Sequence, residues 1–132
     1  MRTRLFCTPV AIAVLLLTGC AMDIVSVKQS PTTLAPAGDP GAPVVLQNDA
    51  TVSIGTGFPT KLKKGTVWRQ IGQIAEGEVF TTRDQVVTVE ASNIHEAQPV
   101  IHGGNVVGFY LPVERTFTRA KAPVAITFQP PK

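Results

Sequence analysis

Beyond residue 20 this chain of 132 residues has no cysteine; its two, Cys7 and Cys20, both lie near the start. The remainder can form no disulfide and offers no thiol as nucleophile or redox centre, so its stability must come from a hydrophobic core. Histidine is equally scarce. A zinc site draws its ligands in close pairs with further ligands elsewhere, and His95 and His102, the only histidines, make no such pair. No metal or other cofactor is expected. Charged residues are 16% of the chain and the formal excess is +3, far from the dense basic stripe of a nucleic-acid binder. The longest apolar run, residues 5–17, is shorter than the roughly 20 residues a membrane-crossing helix needs, and Pro9 interrupts it.

What that run does have is a setting. Arg2 and Arg4 precede it and Leu17-Thr18-Gly19-Cys20 closes it, the layout of a secretory signal with a basic n-region, an apolar h-region and small residues at its end. The closing tetrapeptide resembles the lipobox of bacterial lipoproteins, in which a branched aliphatic residue, a small residue and Gly or Ala precede Cys. All four positions match. The resemblance implies that residues 1–19 are removed, that diacylglycerol is attached to the sulfur of Cys20, and that the new amine is acylated in turn. The bilayer is then the first partner, held through Cys20. Two or three acyl chains anchor stably where one holds only reversibly. Ala21, where retained members carry Asp, implies the outer membrane, facing the periplasm, in a cell with two membranes. The competing reading is an ordinary signal cut near Ala21. Loss of Arg2 and Arg4 leaves ten Lys and Arg against nine Asp and Glu, so the mature chain is close to neutral and no nucleic-acid partner is expected.

Residues 20–43 carry Pro31, Pro36, Pro40 and Pro43 with Gly38 and Gly41 among small residues. Such composition buries too little apolar surface to order itself, and the expectation is an extended tether reaching about 70 Å from the lipid at about 3.1 Å per residue. Residues 44–128 read as one domain, with 129–132 as a tail. Short β-branched runs at 44–46, 51–54, 86–90, 106–111, 116–118 and 124–128 are divided by turn residues. Gly103-Gly104-Asn105, between Pro99-Val100-Ile101-His102 and Val106, marks a hairpin because its turn needs positive φ. Residues 66–75 fit a helix, with Val67, Ile71 and Ile74 at helical spacing, or a strand bent at Gly72; strands on both sides favour the strand. The fold class expected is mainly β, a small single-domain antiparallel barrel or sandwich of SH3-like size.

Groupings that could carry chemistry are sparse. Glu76 and Glu78 flank Gly77, the pattern of a solvated turn more than of a glycosidase pair spaced to flank a cleft. Ser53 and Ser92 sit in no nucleophile elbow, and Gly55-Thr56-Gly57 is too short for a phosphate loop. Lys61 and Lys63 share a strand face that would meet anionic headgroups or a partner's acids, or simply guard a sheet edge. Val106 to Leu111 is apolar on both faces. Either it is buried on both sides, or one face offers Val106 and Tyr110 beside the gap at Gly108, joined by Trp68, as anchors for a protein partner. The function expected is therefore non-enzymatic: an envelope lipoprotein whose β domain binds another protein, as an accessory subunit of an outer-membrane, pilus, secretion or conjugation assembly. A peptidoglycan- or glycan-binding module, and a small periplasmic hydrolase or its inhibitor, are the alternatives.

Overall fold

A computed structural model describes residues 27–55 and 57–131. The leader, Cys20 and the first residues of the expected tether lie outside the described residues, as does Thr56. Every regular element described is a strand: β1 (Ser30–Pro31), β2 (Ala35–Pro36), β3 (Val44–Leu46), β4 (Ala50–Val52), β5 (Thr60–Leu62), β6 (Val67–Ile74), β7 (Gly77–Thr82), β8 (Thr88–Glu90), β9 (Ile94–Glu96), β10 (Gln98–His102), β11 (Asn105–Leu111), β12 (Thr116–Ala125) and β13 (Phe128–Gln129). All pairings are antiparallel. The mainly β class read from the sequence is the class of the structure.

The large sheet runs β1-β12-β11-β10-β7-β6-β3-β13, with β2 also on β6; β4-β5 and β8-β9 form two separate hairpins. Chain length forces the large sheet to curl. From β1, outside β12, to β2, outside β6, a flat sheet would take six inter-strand steps of about 4.8 Å, roughly 29 Å. The link from Pro31 to Ala35 spans at most about 14 Å even fully extended. The same holds at the other end, where Ala125 of β12 pairs with Asn105 and Phe128 of β13 pairs with Leu46. Those two are at most about 11 Å apart along the chain, against the same 29 Å across a flat sheet. The sheet is thus bridged twice into a barrel-like layer.

One of those bridges is the stretch expected to be a tether. Ser30 and Pro31 pair with Phe117 and Thr116, Ala35 and Pro36 with Gln73 and Gly72. Val27 packs against the core, Thr32 N–H donates to Arg115 O at 3.2 Å, Ala37 N–H to Ile71 O at 2.9 Å and Gly41 N–H to Gln70 O at 3.2 Å. The tether of 20–43 is corrected accordingly: from Val27, the first described residue, onward the chain is docked on the domain. Proline lacks a donor but is tolerated at sheet edges, and both prolines occupy edge positions, so composition alone did not prevent pairing.

The other elements follow their local signals. Gly103 and Gly104, at φ of 58° and 78°, close the β10-β11 hairpin in two residues, with His102 opposite Asn105. Residues 67–74 are a strand whose register shifts between Gln70 and Gly72, the bulge that a mid-strand glycine suggests. Residues 116–118 and 124–125 belong to a single strand, because a register shift between Val106 and Gly108 absorbs the extra residues of β12 around Pro123. The strand expected at 86–90 is confined to β8.

Both faces of the sheet are apolar. Val79, Val100 and Tyr110 lie in one cluster with Ile74 and Phe117, and their sequence neighbours Phe80, Ile101 and Phe109 in the other, as period-two alternation requires. The larger cluster is covered by the small hairpins through Val52, Leu62 and Val89. Leu34, from the docked N-terminal arm, packs on the smaller.

Candidate functional site

The three side chains expected to anchor a partner are core residues. Trp68 and Val106 are fully buried and Tyr110 nearly so. Trp68 stands edge-on to Phe128 at 5.3 Å between centroids and donates its Nε1–H to Thr66 Oγ1 at 2.8 Å, so even its polar tip is satisfied inside. The gap beside Tyr110 is filled: a Cβ on Gly108 would come within 2.7 Å of Cε2 and Cζ of Phe117. Of the two readings of Val106 to Leu111, the strand buried on both sides is the one realised, and the exposed anchor face of Trp68, Val106 and Tyr110 is corrected. Lys61, Lys63 and Lys64 are exposed, but the edge of β5 is covered by Gln85, whose Nε2 donates to Lys61 O at 2.6 Å while its Oε1 accepts from Lys63 N–H at 3.1 Å.

The apolar surface left to solvent is elsewhere. Phe58, Val86, Ile94 and Val113 are 64%, 80%, 70% and 77% exposed, and backbone and side-chain links gather all four around the β8-β9 hairpin. Phe58 N–H donates to Glu90 O at 3.1 Å, and Glu90 pairs with Ile94. His95, next to Ile94, reaches Glu114, next to Val113. Val86 adjoins Val87, whose carbonyl accepts from Ala97 N–H at 2.9 Å. Val86 and Glu90 line, with Pro59 and Lys61, a shallow cleft of about 180 Å³. Alternation explains why the hairpin presents this face: Val89 is buried and His95 half-buried opposite it, leaving Ile94, Glu90 and Glu96 outward.

Besides the Phe58 bond to Glu90 and one from Thr60 Oγ1 to Thr88 O at 3.0 Å, a contact between side chains fastens the hairpin. His95 Nδ1 lies 2.5 Å from Glu114 Oε1; the hydrogen bond from His95 holds the Glu114 carboxyl below the usual carboxylate range, with burial opposing. The other Glu114 oxygen is buried without a partner. Glu90 and Glu96 are the carboxylates near His95 in the sequence, but its partner is 19 residues away, beyond any local pattern. Phe58, Ile94 and Val113 carried a fainter signal, as single apolar residues among turn-forming neighbours. Glu76 lies in the β6-β7 turn and Glu78 at the start of β7, and His102 is exposed beside the β10-β11 turn. Among the described residues no group of three or more His, Cys, Asp or Glu is placed to hold a metal, and no helix is long and apolar enough to cross a membrane.

No family model matches the chain, and neither a curated protein nor a solved structure is significantly similar to it.

Proposed function

We propose that this protein is a non-enzymatic envelope lipoprotein, held in the bilayer by an acylated Cys20, whose β domain docks a protein partner through the surface around β8-β9. Four exposed large apolar side chains on segments bonded to one hairpin or part of it carry this reading, because apolar surface left to solvent beside polar residues marks interaction sites on otherwise soluble domains. The rim carries both signs: Glu90 and Glu96 are exposed beside Ile94, Lys61 shares the cleft with Val86, and Arg115 is exposed two residues from Val113. A partner face with an apolar centre and a margin of mixed charge complements it.

The docked arm limits where that partner is. From Cys20 to Val27 the chain extends at most about 25 Å, so the domain works close to the lipid surface, and an accessory role in a membrane-seated assembly such as a secretion, pilus or conjugation complex suits it. The outer membrane, facing the periplasm, follows from Ala21 at the position after Cys20. A photo-crosslinker at Ile94 in living cells should give one discrete adduct that a crosslinker at His102 does not. Equal labelling from both positions, or none from Ile94, contradicts the docking surface.

A further inference from the structure

A groove of about 380 Å³ runs between the N-terminal arm and β12, and its lining includes Lys28, Ser30, Glu76, Phe117, Arg119 and Lys121. We infer that it holds a phospholipid headgroup of the ethanolamine type, phosphate toward the cations and ammonium toward Glu76, in the bilayer that carries Cys20. The inference rests on the acylated-anchor reading above.

Charge is the first support. Phe117, Arg119 and Lys121 follow one another at period two, which places them on one side of β12. The register Ser30↔Phe117, continued by two residues, puts Lys28 opposite Arg119. Like charges directly across a strand pair destabilise it, and β1 pairing stops at Ser30, just before that position. None of the three cations is ion-paired among the described residues, where the one ion pair is His95 with Glu114. Arg119 leans on the Phe117 ring, its guanidinium carbon 5.3 Å from the centroid, which keeps the cation over the groove.

Glu76 is the second support, and it excludes a simple anion. One of its carboxylate oxygens is buried with no hydrogen-bond partner, an acceptor left open in a wall otherwise cationic. A buried acceptor without a partner is costly. A zwitterion supplies both missing charges: its phosphate answers Lys28, Arg119 and Lys121, and an N–H of its ammonium answers Glu76.

Location is the third support. Lys28 follows Cys20 by eight residues, at most about 29 Å of extended chain, so this wall of the domain is the one tethered nearest the lipid. Lys63 and Lys64, by contrast, lie beside Asp49 at the opposite end of β4 from Ile54 and Gly55, which line the groove.

The mature lipoprotein has its only thiol blocked by lipid, so one new cysteine takes one nitroxide. Labels at Thr33→Cys, on the arm three residues after the groove-lining Ser30, and at Lys64→Cys are compared on vesicles of phosphatidylethanolamine with equal phosphatidylcholine, and of phosphatidylcholine alone, by their accessibility to an aqueous nickel chelate. The Thr33 label should be shielded relative to the Lys64 label, and more so with phosphatidylethanolamine, whose ammonium can donate where choline cannot. Arg119→Gln and, separately, Lys121→Gln should each lower the docked-to-free ratio by roughly tenfold, the loss of one charge-assisted contact. Glu76→Gln should remove the preference for ethanolamine. Equal accessibility of the two labels on vesicles that the protein still floats with overturns the inference, as does shielding that ignores all three substitutions. An intact mass without lipid on Cys20 removes the anchor and, with it, the headgroup site.

Discussion

The ring of Phe117 lies across Gly108 on the neighbouring strand, so closely that a methyl group at Gly108 would overlap Cε2 and Cζ at 2.7 Å as well as the Thr118 carbonyl. That contact ties β11 to β12 at the strand that was a candidate docking face, and it is why Tyr110 is inside. Gly108→Ala is expected to destabilise the fold by about 1–3 kcal/mol, the range for overpacking a close-packed interior. Urea unfolding checks it, with a lower midpoint and unchanged slope; a midpoint like the wild type's would mean that both the Phe117 ring and the Thr118 carbonyl give way without cost.

Gly72 plays the same part for the arm. A Cβ there would meet the Ala35 carbonyl and lie 3.0 Å from Leu34 Cδ1. Gly72→Ala should lift β2 off β6, and Leu34→Ala should weaken the same docking by removing its apolar contact. Amide exchange at Ala37, which donates to Ile71 O, is the readout: faster in both variants while the Val100 and Phe109 amides stay protected.

The His95–Glu114 contact has a pH signature. Glu114 has its pKa lowered in the folded protein by the hydrogen bond from His95, so it adds stability that is present above the ordinary glutamate value of about 4.3 and is lost as pH falls through the lowered value. Glu114→Gln should cost about 1 kcal/mol near neutrality, and the gap to the wild type should close as the medium is acidified below about pH 4. A gap independent of pH would mean that shape, not charge, holds the hairpin.

Trp68 and Ile94 separate stability from binding. Trp68→Ala should lower stability by about 3–5 kcal/mol, as for large core aromatics, whereas Ile94→Glu should leave the melting temperature within a few degrees and abolish the adduct of a crosslinker placed at the nearby exposed Phe58. Solvent-exposed substitutions ordinarily change stability by no more than about 0.5 kcal/mol. Thermal melts of the two variants beside the in-cell crosslink give both readings.

The sequence was informative where the cause of structure is local. Gly103-Gly104 marks a turn whatever lies around it, and Gly72 marks a bend in β6 once the flanking strands decide for a strand there. It misled where pairing is remote: Ser30 finds Phe117 87 residues away, and nothing in a run of prolines and small residues announces that a sheet edge waits for it. The inward or outward sense of Val106 to Leu111 was also beyond local pattern. Alternation fixes which residues share a face but not what covers that face, and here Phe117 and Leu34 cover one side while the small hairpins cover the other. His95 belonged to the same class, its partner set by the turn after β11.

The anchor on Cys20 is the claim on which the rest depends. Intact mass of the protein extracted from membranes, with fragmentation of its first peptide, tests it most directly. The expected result is a chain beginning at Cys20 with diacylglycerol on its sulfur, and a Cys20→Ala protein that keeps its leader and takes up no fatty acid. A mature chain beginning at Ala21 or later, or Cys20 recovered as a free thiol, would contradict it.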